Sequence, residues 1–540
     1  MILRATGMNE GPLIDPVRAA LLSPLAKLAH TNPFEPAWDA LLASALGGGS
    51  VTGVRAAGST ESRSPWGPEA LGEPLAQALA VIATQLAQGK TASEEERAIY
   101  QGAALYGLAH GFGPRLQALI DHDTIEVPFY DDFVEQHRFL FAHPGLRVPE
   151  PSHLLALLYQ TRRAWSFAST KIRGRSAIAN AVRASLWRAN LGSDLGAYAD
   201  GLFRRMDEIP VLITGETGTG KELAAACIGW SRYIPFDPVA KRFATTPSGD
   251  YHARNLCEVP SSLLESALFG HKRGSFTGAA ADAKGYFALP KPHGSLFLDE
   301  IGELPEHVQV KLLRPLQSRE YLPLGESRPH TLSGRQLFAT HRDLEALCRE
   351  GKFRADLLER MNGVPIRMPS LRQVLAEAPE ELHAFVRGFV ADKIDDAARV
   401  EEWSARVVRS IEATRRGYAW PRNLRELKNY AERFLLTDGR MEAPEPSAQS
   451  TEQRAATPET TALPSSALPS GGIPSSGILG PRAKAGEVSL EELTRTYVTR
   501  VHVLTAQNKA ETARRTGLDW RTVKKWVDPA RLGRWLARKK

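Results

Sequence analysis

The stretch PVLITGETGTGKE, Pro210 to Glu222, decides the reading of the fold. Val211 to Thr214 are apolar or β-branched and read as a strand, which runs directly into a glycine-rich turn and then a helix. Glycines 215, 218 and 220 permit a tight backbone path on which successive N–H groups and the helix N-terminus face one point. Lys221 can reach the same point. Such a cradle suits phosphate groups, the bland alternative being a structural glycine-rich turn. The general phosphate-loop pattern carries Ser or Thr after its lysine to hold magnesium, whereas this chain has Glu222. The cradle residues are Gly215, Glu216, Thr217, Gly218, Thr219, Gly220, Lys221 and Glu222.

Working outward, GSLFLDEIGEL is an apolar strand that ends in Asp299-Glu300, 78 positions beyond Lys221. Two acids after a strand say little alone. After a phosphate loop they read as a hydrolytic pair: Asp299 to hold magnesium directly or through water, Glu300 to polarise the water that attacks a terminal phosphate. RQLFATH (335–341) reads as a third strand. Strands alternating with helices predict a parallel sheet with crossover helices.

Between the two motifs lies SSLLESALFGHKRGSFTGAAADAKGYFALPKPHGSLFLDE, which resembles the AAA+ core of the sigma-54-dependent transcriptional activators, the bacterial enhancer-binding proteins. The resemblance runs from about Lys171 to Leu436, half the chain, through several motifs in the family's order. It implies ATP and Mg2+ as cofactors. It also accounts for Glu222, because the family's loop is usually GE[ST]GTGKE, and magnesium would then rest on phosphates, water and Asp299. Gly274, Ser275, Phe276, Thr277, Gly278 and Ala279 match the family's GAFTGA loop, whose Phe and Thr press on sigma-54 as ATP is hydrolysed. Arg354 and Arg360 match two arginines that reach a neighbouring subunit's site. Arg425, in WPRNLREL, matches the second sensor, which contacts nucleotide as the helical lid closes, and His341 occupies the first sensor position. Asn255 matches the asparagine that restrains the catalytic glutamate. The chain departs from the usual family residues at Ala267, Ser275, His341 and Arg422, and the segment before Asn255 is longer than usual.

The flanks complete a multi-domain reading, which the length of 540 residues already requires. Residues 1–167 read as a helical N-terminal domain, with a Gly/Ser-rich loop at 47–67 and no nucleotide, metal or nucleophile pattern, and the resemblance implies a regulatory role for it. Asp131-Asp132 falls in a helical stretch and reads as a solvated face. The α/β core is expected at 171–370 and the helical lid at 371–440. Residues 441–486, rich in Pro, Ser, Ala and Gly, read as a disordered linker. Residues 487–540 hold 13 Lys+Arg against 6 Asp+Glu, so the whole formal excess of +7 lies there and points to a polyanion. NKAETARRTGLDWRTVKKWVD has helix-turn-helix proportions and resembles the family's Fis-like module. Its second helix would turn Arg521, Thr522, Lys524 and Lys525 toward DNA, the plainer reading being a basic tail without sequence preference.

Composition is that of ordinary globular protein, at 43% hydrophobic and 24% charged residues. There is no apolar run of membrane-spanning length and no secretory-signal pattern, so a cytoplasmic location and no membrane partner are expected. Cys227, Cys257 and Cys348 are widely spaced and read as small buried apolar residues. The leading expectation is an ATP-hydrolysing activator that binds upstream enhancer DNA and, as a hexameric ring, remodels sigma-54 RNA polymerase. The departures leave a second reading, an ATP-binding, DNA-binding regulator uncoupled from remodelling. A third, an AAA+ remodeller of another protein, fits GSFTGA poorly.

Overall fold

The computed structural model describes residues 12–47, 67–143, 145–276 and 279–439, together with 498, 499, 502, 512 and 527. The chain falls into two compact units, Met1–Ala443 and Pro444–Lys540. In the second, the His502 imidazole and the Thr512 hydroxyl are hydrogen bonded at 2.9 Å. Arg521, Thr522, Lys524 and Lys525 lie outside the described residues, as do the linker 441–486 and nearly all of the loop expected at 47–67.

The first unit begins with helices α1 (Pro16–Leu28), α2 (Pro36–Ala45), α3 (Gly72–Ala87), α4 (Glu94–Asp121), α5 (Tyr130–Phe141) and α6 (Pro151–Lys171). Local sequence explains their starts. Asp15 caps α1 ahead of a proline at its first position, and Ser93 and Glu96 close a reciprocal capping box on α4. Asp131-Asp132 lies in the first turn of α5, where carboxylates suit the helix dipole.

The apolar faces of these helices form one core, including Leu25, Leu75, Phe112, Phe133 and Leu155. That core also takes in Trp187, Leu191, Phe203, Tyr233 and Phe243, so the helical region and the α/β region are packed together. The division expected near 167–171 falls inside α6.

After α7 (Ala177–Leu191) and the short α8 (Leu195–Asp200) comes the sheet, with strands β1 (Val211–Thr214), β2 (Tyr251–Asn255), β3 (Ser295–Asp299), β4 (Arg335–Thr340) and β5 (Val364–Arg367). They are all parallel, in the order β5-β1-β4-β3-β2. Leu212, Leu296, Leu298 and Phe338 point to one face, and Val211, Ile213, Phe297, Leu337 and Ala339 to the other. Burial on both faces is why β1, β3 and β4 carry the continuous apolar stretches VLI, LFL and LFA. The edge strands β2 and β5 are partly exposed and did not stand out in the sequence: YHARN is largely polar, and VPIR is short and interrupted by Pro365, which is tolerated because β5 is an edge.

Helix α9 (Lys221–Trp230) packs on one face of the sheet. On the other lie α10 (Leu264–Phe269), α11 (Glu306–Ser318), α12 (Leu344–Arg349) and α13 (Ala355–Met361). The lid follows as α14 (Leu371–Glu377), α15 (Glu381–Ala391), α16 (Ala397–Thr414) and α17 (Asn423–Leu436), around a core of Phe385, Val386, Val407, Leu427 and Phe434.

One expectation needs correction. Cys227 is buried, but Cys257 is exposed and Cys348 is half-buried. Cys257 sits in the single turn after β2, where only Leu256 faces inward.

Candidate nucleotide site

The site forms at the carboxyl ends of the strands, where open α/β sheets place their ligands. The loop between β1 and α9 turns through three glycines with positive φ: Gly215 at 152°, Gly218 at 81° and Gly220 at 95°. Thr219 is buried and its hydroxyl donates to the Glu216 carbonyl at 2.8 Å, bracing the turn from inside. The loop thus leads into the N-terminus of α9, which lines the cleft. Lys221 Nζ folds back to the carbonyls of Gly215 (2.9 Å) and Glu216 (3.2 Å). Burial pushes this ammonium below its ordinary pKa, against Glu300 and Asp299, which hold it up.

Asp299 ends β3, and its Oδ1 accepts the Glu300 N–H at 2.9 Å. Burial raises the Asp299 pKa, and the neighbouring Glu300 charge raises it further. Glu300 takes a left-handed backbone, φ 59°, a conformation that costs a non-glycine residue about 1 kcal/mol or more and needs support from its surroundings. Part of that support is visible. β4 lies beside β3, and His341, just past its end, holds Glu300 Oε2 through Nδ1 at 2.7 Å. Asn255 pairs in register with Asp299, but its Oδ1 accepts from the Cys257 N–H at 2.9 Å. Among the hydrogen bonds of the described residues, Glu300 is joined to His341 rather than to Asn255.

Between core and lid lies a cleft of about 750 Å³, within the usual size for small-ligand sites. Thr217 to Glu222, Asn255, Asp299, Glu300 and Arg425 all line it, so most of the site residues expected from sequence converge. Gly215, Glu216 and His341 stand behind this wall, bonded to lining residues. At the far end an apolar pocket of Ile172, Val182, Met368, Phe385 and Phe389 suits a flat ring. There Arg173 lies 4.7 Å over Phe389 and pairs with Asp392. No local pattern flagged these residues, which come from the turn after α6, from α7, from the end of β5 and from the lid.

The other expected residues stand apart. Arg354 and Arg360 do not line this cleft; Arg354 grips Asp356 on the surface with a fork at 3.0 and 2.7 Å. The loop base at Gly274 to Phe276 and Ala279 is also outside it. It is closed by Gly274 N–H to the Ala279 carbonyl (2.9 Å), with the Phe276 ring edge-on to His271. Thr277 and Gly278 lie outside the described residues. Among the described residues no helix is long and apolar enough to cross a membrane.

Residues 202–367 match the family model described as the sigma-54 interaction domain. The chain is 37% identical over 227 residues to the DNA-binding transcriptional regulator NtrC of Bradyrhizobium sp. (strain RP501 Parasponia), covering 42% of this chain and 43% of that protein. To the NtrC of Azospirillum brasilense it is 38% identical over 232 residues, again 42% and 43% of the two chains. To the Nif-specific regulatory protein of Azotobacter vinelandii it is 40% identical over 226 residues, 42% of this chain and 39% of the relative. The match therefore spans about two fifths of each relative's length. The domain at 202–367, which holds the glycine-rich loop and the Asp299-Glu300 pair, is thus similar to the sigma-54 interaction domain, and over that part of its length the chain resembles these regulators.

Proposed function

We propose that the protein hydrolyses ATP to drive transcription activation at sigma-54 promoters, binding upstream DNA through its basic C-terminal region. The observation that carries the reading is the convergence of Lys221, Asp299 and Glu300, from the part matched by the sigma-54 interaction domain, and the lid's Arg425 on one cleft. The backbone N–H groups of the 215–220 loop and the start of α9 would bind the phosphates, with Lys221 leaving its two carbonyl partners to meet them. The carboxylate of Asp299 fits Mg2+, whose charge would offset that of the phosphates. Glu300 would orient the attacking water and take its proton, with His341 fixing the carboxylate. Arg425 would report nucleotide to the lid. Arg354 and Arg360, outside their own chain's cleft, would complete a neighbour's site in a hexameric ring. The loop at 274–279 would press on sigma-54, and Arg521, Thr522, Lys524 and Lys525 would read DNA.

The test pairs an ATPase assay with open-complex formation at a sigma-54 promoter. The parent should perform both. Glu300→Ala should bind ATP and not turn it over. Thr277→Ala should hydrolyse ATP and form no open complex. A parent that hydrolyses ATP without opening promoter DNA would shift the reading to an uncoupled regulator.

A further inference from the structure

The side chain of Glu216, the first variable position of the phosphate loop, does not line the cleft. It turns to the lid. Arg372, the second residue of α14, grips its carboxylate with both guanidinium ends, Nη1 to Oε2 at 2.8 Å and Nη2 to Oε1. Asn423, the first residue of α17, donates from Nδ2 to Glu216 Oε2 (3.2 Å) and to the Thr217 carbonyl (3.0 Å). Its Oδ1 accepts the N–H of Leu371 at 2.7 Å, tying α14 to α17. Asn423 is fully buried and has φ 52°, a left-handed conformation that Asn tolerates better than most residues. The loop touches this junction directly: a Cβ on Gly218 would stand 2.1 Å from the Arg422 carbonyl oxygen and 3.0 Å from Arg425 Cβ. Arg425 lies two residues past Asn423 on the same helix and lines the cleft.

We infer that Glu216, Arg372 and Asn423 form a latch between the phosphate loop and the lid, which sets where α17 holds Arg425 over bound nucleotide. Glu216 and Arg372 are thus positioning residues. The inference rests on the nucleotide-site reading above. The Arg372 guanidinium, and after it Asn423, hold the Glu216 carboxyl below its ordinary pKa, so the latch carboxylate is charged at neutral pH. Both ends of the ion pair are partly exposed, which limits its worth. Loosening it should shift the lid rather than unfold it, since the lid has its own apolar core.

The experiment measures binding of ATP with Mg2+ to the full chain, in a Glu300→Ala background that suppresses turnover. Arg372→Ala should weaken ATP about fivefold, the equivalent of ~1 kcal/mol. Arg372→Lys, which keeps the charge without the fork, should recover part of that. In an Arg425→Ala background, Arg372→Ala should cost less than about 1.5-fold, because a residue acting through Arg425 has nothing left to position. A purely structural residue would cost the same in both backgrounds, and that result overturns the latch. Should Arg372→Ala fold poorly, the isosteric Glu216→Gln serves in the same cycle. Parent binding with unchanged variants sinks the latch alone; a parent that binds no ATP sinks the nucleotide site and the latch together.

Discussion

Replacing Arg163 tests how the helical region supports the phosphate-loop helix. Arg163, on α6, is fully buried, and its Nη1 and Nη2 donate to the carbonyls of Trp230 (2.7 Å) and Arg232 (2.6 Å) at the C-terminal end of α9. Nearby, Gln160 donates to the Ser231 carbonyl at 3.0 Å. These carbonyls have no intrahelical donors, and a cation there suits the helix dipole. Two hydrogen bonds from a charged group contribute about 3–6 kcal/mol. Burial opposes them, pushing the Arg163 pKa down to about 10, a cost of ~3 kcal/mol at 1.36 kcal/mol per unit. The polar balance is therefore small, about 0–3 kcal/mol in favour of the arginine. The side-chain stem adds about 2 kcal/mol of apolar burial. Arg163→Ala should then cost ~2–5 kcal/mol, and Arg163→Met, which keeps the stem, roughly 2 kcal/mol less. Urea unfolding followed by several probes measures both, and amide exchange should quicken at the end of α9. A methionine variant less stable than the alanine variant would refute the reasoning, as would an alanine variant within about 0.5 kcal/mol of the parent.

Two further outcomes are expected. Gly218→Ala forces a side chain into a left-handed position and against the Arg422 carbonyl 2.1 Å away, so ATP affinity measured by calorimetry should fall about tenfold or more; unchanged affinity would mean the lid does not rest on the loop. Arg354→Ala and Arg360→Ala should each slow hydrolysis, and mixing either with Lys221→Ala should restore part of it, because an intact cradle can then face an intact arginine. No rescue from rings shown to assemble normally would exclude action in trans.

What the amino-acid sequence determined by itself is what neighbouring residues encode. Strand, glycine turn and lysine are contiguous at 210–222, and strand and acid pair are contiguous at 294–300, so both motifs and the central strands β1, β3 and β4 were legible. The lid helices α15, α16 and α17 were legible from their apolar spacing. The edge strands were not, because a partly exposed strand lacks the continuous apolar stretch that burial on two faces imposes. Only tertiary structure decided the pairings between distant segments. Glu216 meets Arg372 across 156 positions and Asn423 across 207, and nothing in GETGTGKE says where that carboxylate turns. Likewise, helices that read as a separate N-terminal domain share a core with Trp187 and Tyr233, and α6 runs unbroken through the expected boundary. Periodicity shows that a helix has an apolar face, whereas the partner of that face depends on the path of the whole chain. Glu300 shows the same limit: a two-residue motif identified the carboxylate, but its hold on His341 exists because β3 and β4 lie side by side.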